Sequence, residues 1–181
     1  MPNWCSNSLT LTHEDVTMVD KVQKIVEEQT GLFGGFLPVP AELQGTTAPN
    51  RADETTTKAL VEKYGAADWY DWCVSNWGTK WDVEPDGYTR PNPNTIRLGF
   101  ETAWGPAIAF YEHLESLGFT VEAMYYEPGM AFAGIYTEGY DDSYEFSDMD
   151  SDGVARHLPQ VLDQEFGISE QMADWEAENE E

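Results

Sequence analysis

The stretch Trp72-Cys73-Val74-Ser75-Asn76-Trp77-Gly78-Thr79-Lys80-Trp81-Asp82 puts three indoles within ten residues and a lysine between two of them. Indole rings give large, rigid contact area, Asn76 and Thr79 can hydrogen-bond, and Lys80 is one of only nine bases in the chain. With Trp4 and Trp104, these residues suit either of two tasks: a cleft in which Lys80 holds an anionic ligand, or an aromatic contact centre on a protein interface. A third account needs no ligand. Tryptophans with satisfied N–H groups commonly fasten one element onto another, with Lys80 paired to a nearby acid.

Carboxylates form the second group. Asp141, Asp142, Glu145, Asp148, Asp150 and Asp152 crowd one segment, and Glu165, Glu170, Asp174, Glu176, Glu178, Glu180 and Glu181 follow it. On alternate strand residues such groups stand ~6.6 Å apart, and at i, i+4 on a helix ~6 Å apart, spacings compatible with tracing nucleic-acid phosphates. Asp141, Asp142, Glu145, Asp148, Asp150, Asp152, Glu176 and Glu178 are therefore a candidate partner-binding surface. A solvated coat, or adaptation to high salt, is the plainer alternative. Asp148 to Gly153 also imitates the opening of a calcium loop, but the twelfth position is Pro159 instead of a bidentate glutamate and Arg156 occupies the ninth. That spacing excludes an EF-hand, and no metal ligand set is assigned.

Catalysis finds little support. Cys5 or Cys73 as a nucleophile would need His13, His113 or His157 within hydrogen-bond reach, and nothing local places one there. The chain has no CxxC pair, Walker loop, GxGxxG, HExxH or GxSxG. No catalytic residue and no cofactor are expected, and the cysteines read as buried and inert.

Charge narrows the partners. Of 181 residues, 34 are acidic and nine basic, a formal charge of −25. Residues 1–100 carry 14 acids and eight bases, whereas residues 101–181 carry 20 acids and the single base Arg156. Such a field repels phosphates and anionic lipid, so direct nucleic-acid or membrane binding is disfavoured and a basic protein surface is the natural partner. At 41% apolar and 13% aromatic, the composition is that of a folded domain despite the charge. No apolar run approaches ~18 residues, and the first residues lack the basic and apolar regions of a secretory signal, so a cytoplasmic protein is expected.

These groups need a scaffold. Asn7 to His13 alternates apolar and polar residues as a half-buried strand, and Thr12 to Thr30 places Val16, Val19, Val22, Ile25 and Val26 at helical spacing before Gly31. Gly31 to Pro40 breaks regular structure, and Gln44 to Thr57 reads as an exposed loop. Short helices are expected over 58–64 and 66–76, the second with Trp69, Trp72 and Cys73 on one face and Gly78 at its C-terminal cap. Lys80 to Glu84 reads as a strand, Pro85 to Asn94 as a turn region, and Thr95 to Ala103 as a strand pairing antiparallel with Lys80 to Glu84. A helix over 106–118 precedes strands over 119–126 and 130–136, joined at Glu127-Pro128-Gly129, and Tyr140 to Phe146 adds an edge strand. Helices around 153–165 and 169–178 end the chain. This order predicts an α+β fold of ferredoxin-like, split βαβ plan: an antiparallel sheet with helices on one face, a helical Trp-rich insertion over about 44–79, and C-terminal helices. The ferredoxin-like domain spans 1–139, with 140–181 an acidic extension packed on the same domain.

Four motifs resemble a known family. They are Met1-Pro2-Asn3-Trp4-Cys5-Ser6-Asn7, the Trp72 to Asp82 stretch, Phe100-Glu101-Thr102-Ala103-Trp104-Gly105-Pro106, and Tyr126-Glu127-Pro128-Gly129 with Phe132-Ala133-Gly134. In that order they are similar to the YubB-like, Api-type family found on phages, plasmids and genomic islands. The resemblance covers roughly residues 1–136 and implies a ferredoxin-like domain and a mobile-element origin; it brings no reaction with it. Charge and resemblance together point to a noncatalytic acidic binding protein, a counter-defence inhibitor or DNA mimic that docks on a basic surface of a host nucleic-acid-directed protein. Two alternatives stay open. One is a protein that binds or sequesters a small molecule or nucleotide signal in a cleft of Trp77, Lys80, Trp81 and Trp104. The other is a salt-adapted structural protein or enzyme.

Overall fold

The central strand has two unlike faces. In this computed structural model, which describes residues 2–179, β1 (Trp4–Thr12) buries Cys5, Asn7, Leu9 and Leu11 on one side and turns Ser6, Ser8 and Thr10 to the other. β1 lies antiparallel between β3 (Thr95–Ala103) and β4 (Thr120–Glu127), with Leu9 opposite Leu98 on one flank and Ala123 on the other. β2 (Tyr88–Asn92) extends the sheet beyond β3, and β5 (Phe132–Thr137) and β6 (Tyr140–Glu145) extend it beyond β4, in the order β2-β3-β1-β4-β5-β6. α1 (Val16–Glu28) connects β1 towards β2, and α6 (Ile108–Ser116) connects β3 to β4. These parts make the ferredoxin-like plan, which the β5-β6 hairpin widens.

Both crossover helices lie on the face of the buried β1 residues. Val19, Val22, Ile25 and Val26 of α1, and Phe110, Tyr111 and Leu114 of α6, form one core with Leu9, Leu11, Ile96, Leu98, Val121 and Ala123. One polar group sits within it. The buried Asn7 amide donates to the Cys5 carbonyl and to Thr102 Oγ1, each at 2.8 Å, and its Oδ1 accepts from the Tyr111 hydroxyl at 2.7 Å. Thr102 Oγ1 in turn donates to the Gly105 carbonyl at 2.7 Å, so this network ties β1, α6 and the chain around Trp104 together.

The C-terminal helices take the opposite face. Tyr126 pairs with Ala133 and Met124 with Ile135, which puts these four side chains on the same face as Ser6 and Ser8. Against them pack Val154 of α7 (Ser151–His157), Leu162 of α8 (Gln160–Phe166) and Ile168 of α9 (Ile168–Asn179), with Phe146 and Leu158. The sheet is thus covered on both sides over β4 and β5 and on one side over β3 and β1, while the edge strand β6 stays largely exposed. No helix among the described residues is long and apolar enough to cross a membrane.

The chain between α1 and β3 departs from the expected elements in four places. Residues 80–84 are no strand. Asp82 reaches back across the chain to accept from the Phe33 and Gly34 amides at 2.7 and 2.8 Å, and Leu32 donates to the Val83 carbonyl at 2.8 Å. These bonds hold α2 (Leu32–Phe36) within a segment whose glycines argue for a break, and they take Asp82 and Val83 away from the sheet. The strand that pairs with β3 is instead β2, inside the expected turn region, with a register shift between Thr89 and Asn92 and Pro91 on a sheet edge where its missing N–H does no harm. α3 (Ala41–Gln44), α4 (Glu54–Tyr64) and α5 (Trp69–Trp77) complete the insertion, α4 starting at an Asp53 cap inside the expected loop.

Tyr111→Phe removes the only donor to Asn7 Oδ1 among the described residues without changing the ring. The expected loss, read by urea unfolding, is about 1–3 kcal/mol, the cost of an unsatisfied buried acceptor; a loss below about 0.5 kcal/mol would show that the network does not hold α6 to β1.

Candidate functional site

Three exposed indoles converge from separate segments. Trp4 opens β1, Trp81 lies between α5 and β2, and Trp104 follows β3; they are 44%, 44% and 53% exposed. Trp4 and Trp81 have ring centroids 6.1 Å apart, and Lys80 Nζ lies 3.9 Å from the Trp81 centroid and 5.9 Å from that of Trp104. Backbone bonds hold the segments in place. Trp104 N–H donates to the Asn3 carbonyl at 2.9 Å, and the buried Thr79 hydroxyl donates to the Ala103 carbonyl at 3.1 Å. Among the described residues Lys80 has no carboxylate within 4.0 Å, so the indole faces are its electrostatic partners.

Trp104 has a φ of 75°, in the left-handed region. For an L-residue with a bulky side chain this costs about 1–2 kcal/mol, yet the ring is half exposed and so gains little from burial.

Beside this patch the uncovered half of the sheet forms a groove. Its floor is low because β1 and β3 present Ser6, Ser8 and Gly99 there. At the Trp4 end lies a hollow of about 570 Å³, lined by Trp4, Ser6 and Gly99 together with Asp82, Glu84, Asp86 and Glu101. Four carboxylates and no base border it. A neighbouring hollow of about 490 Å³ shares Trp4, Ser6 and Glu101 and ends at Phe166 and Gln171 near the α8-α9 junction. Farther along, Arg97 and Glu122 flank Thr10 on the same face, and among the described residues no ion pair joins them. Loss of hydration against α2 raises the Asp82 carboxyl above its ordinary range, while the Gly34, Phe33 and Val83 amides pull the other way.

The structure sorts the predicted aromatic residues into two groups. Trp4, Lys80, Trp81 and Trp104 come together at the surface. Trp77 does not join them: it is 4% exposed, stacks among Phe33 and Trp72, and donates from Nε1 to the Leu37 carbonyl at 3.0 Å. Asn76 donates to the Trp72 carbonyl at 2.8 Å, and Thr79 is buried. A cleft containing Trp77 is therefore not formed, and the fastening role describes Trp72 and Trp77.

Three of the eight predicted surface acids also make internal hydrogen bonds. Asp141 accepts from the Tyr125 hydroxyl at 2.7 Å, Asp150 caps α7 by accepting from Gly153 N–H at 2.7 Å, and Glu176 holds Ser151 through its N–H and hydroxyl at 2.9 and 2.6 Å. The calcium-like segment is thus the start of a helix. Asp141 and Glu145 fall on one face of β6 and Asp142 on the other, so they form no single row. Asp141, Asp142, Glu145, Asp148, Asp150, Asp152 and Glu178 are all exposed and Glu176 is half-buried; Glu180 and Glu181 lie outside the described residues. The groove was not anticipated, although the Ser6, Ser8, Thr10 alternation opposite large apolar residues is its signal.

Neither thiol is poised to react. Burial pushes Cys5 up to about 12 and Cys73 up to about 11. Among the described residues neither is hydrogen-bonded to a histidine, and no group of three or more His, Cys, Asp or Glu is arranged to hold a metal.

No family model and no curated protein matches this chain. Among solved structures, it is similar to the crystal structure of protein api92 from Yersinia pseudotuberculosis, family model DUF1281, over 82% of this chain and 99% of that one, at 12% identity and a TM-score of 0.42.

Two outcomes follow from this geometry. In the native protein both thiols should resist a maleimide at pH 8 and label fully only in denaturant; rapid native labelling would contradict their burial. Trp104→Gly relieves the left-handed strain, so thermal unfolding should show stability unchanged or higher by up to about 1 kcal/mol, whereas a loss beyond about 2 kcal/mol would make Trp104 a packing residue.

Proposed function

We propose that this chain is a noncatalytic binding protein that docks on a basic protein surface, with Trp4, Trp81 and Trp104 at the contact centre. The observation that carries this reading is the convergence of three exposed indoles from three chain segments beside a groove bordered by carboxylates. Tryptophan supplies a large part of the energy at protein interfaces, and a charge of −25 steers cationic surfaces towards it while repelling phosphates. The buried, unreactive thiols support the noncatalytic part of the reading.

The more specific form is a phage or mobile-element inhibitor that occupies the nucleic-acid-binding surface of a host enzyme. Its supports are the charge and the resemblance of the Trp4, Trp81 and Trp104 motifs to the Api-type family. The acids of residues 141–152 and of α9 act here through their long-range field, since several of them are held by internal hydrogen bonds.

Affinity capture from bacterial lysate tests the proposal. The expected result is a basic partner whose retention falls steeply as salt rises and falls at least tenfold with Trp4→Ala, Trp81→Ala and Trp104→Ala combined. Binding indifferent to ionic strength, or undiminished in the folded triple variant, would overturn it.

A further inference from the structure

We infer that the hollow beside Trp4 is the seat of an arginine side chain presented by the basic partner. This rests on the docking reading above and adds where and by what chemistry the partner is held.

The lining carries the argument. Asp82 is engaged with the α2 amides, but Glu84, Asp86 and Glu101 make no side-chain hydrogen bond or ion pair among the described residues. Three such exposed carboxylates give the rim of one concavity a single sign of charge, which favours a cation there. Ser6 and Gly99 leave the floor low, while Trp4 supplies an aromatic wall. An aromatic wall together with carboxylates fits guanidinium better than ammonium, because guanidinium is planar, weakly hydrated, stacks on indole and pairs with carboxylate through two parallel N–H bonds. Lys80 sharpens the choice of place. Its ammonium already lies over Trp81 and within 5.9 Å of the Trp104 centroid, whereas among the described residues no cation lies over the Trp4 ring.

A fluorescent Arg-Gly-Ser repeat peptide, with its lysine and citrulline counterparts, tests this by anisotropy at low salt. The expected order is arginine tightest, lysine about fivefold weaker, and citrulline at least tenfold weaker. Glu101→Gln combined with Asp86→Asn should weaken the arginine peptide about tenfold, and Trp4→Ala about fivefold, with thermal unfolding showing that both proteins stay folded. Equal binding of arginine and lysine peptides would reduce the effect to net charge and overturn the inference. So would an equal loss on neutralising Asp142, Glu145 and Asp148 instead, or self-association that Glu101→Gln abolishes, which would seat a second copy there. If the partner captured from lysate binds the Glu101→Gln, Asp86→Asn protein as tightly as the unaltered one, the arginine seat fails while docking on a basic surface stands. If no basic partner is captured, both fail.

Discussion

The antiparallel register of β1 between β3 and β4 decides where this molecule can meet a partner. It sends Leu9 and Leu11 into the core and leaves Ser6, Ser8 and Thr10 on the other face, beside Glu101, Gly99 and Arg97 of β3. Because side chains alternate, a slip of one residue would bury the serines and expose the leucines, so the register is strongly specified. The same register brings Trp4 opposite Ala103, one residue before Trp104, and thereby assembles two thirds of the indole patch. The buried Asn7 amide, bonded to Tyr111 and Thr102, belongs to the same arrangement and stiffens the end of the sheet on which the patch stands.

A net charge of −25 would be expected to strain a compact fold through self-repulsion. The chain uses several of its acids to hold backbone amide donors instead, most of them at the surface. Asp15, Asp53, Asp68 and Asp150 cap helices, Asp82 caps α2 from a distant segment, and Glu127 closes the β4-β5 turn by accepting from the Gly129 and Met130 amides. Hydrogen bonds from Thr17 and Thr56 hold the Asp15 and Asp53 carboxyls below their ordinary range. The stability from those caps is present above the ordinary carboxylate range and is lost as pH falls through the lowered values. Acidification therefore weakens repulsion and caps together, with opposite effects on the fold.

Local patterns were legible where the partner of each residue is close in sequence. β1, α1, β3, α6 and the β4-β5 hairpin follow from alternation, helical spacing and turn residues, and with them the ferredoxin-like order. β2 is short, carries Pro91 and pairs through a register shift, so it imitates a turn. Lys80 to Glu84 alternates like a strand, but Asp82 is committed to α2 nearly fifty residues earlier in the chain, a contact no local pattern records. The same limit applies to the site. Trp77 and Trp81 look alike in sequence, and only the packing of α5 against Phe33 and Leu37 separates the buried indole from the exposed one. The half-sheet is bare because α7 to α9 cover only its other half, a long-range arrangement that no local pattern records.

The most direct measurement is fluorine NMR of the 5-fluorotryptophan-labelled protein, titrated with the basic partner it captures. The resonances of Trp4, Trp81 and Trp104 should shift or broaden together, while those of the buried Trp72 and Trp77 keep their positions. A response confined to Trp175 on α9, with the three patch signals unmoved, would place the contact on the acidic C-terminal face and contradict this account.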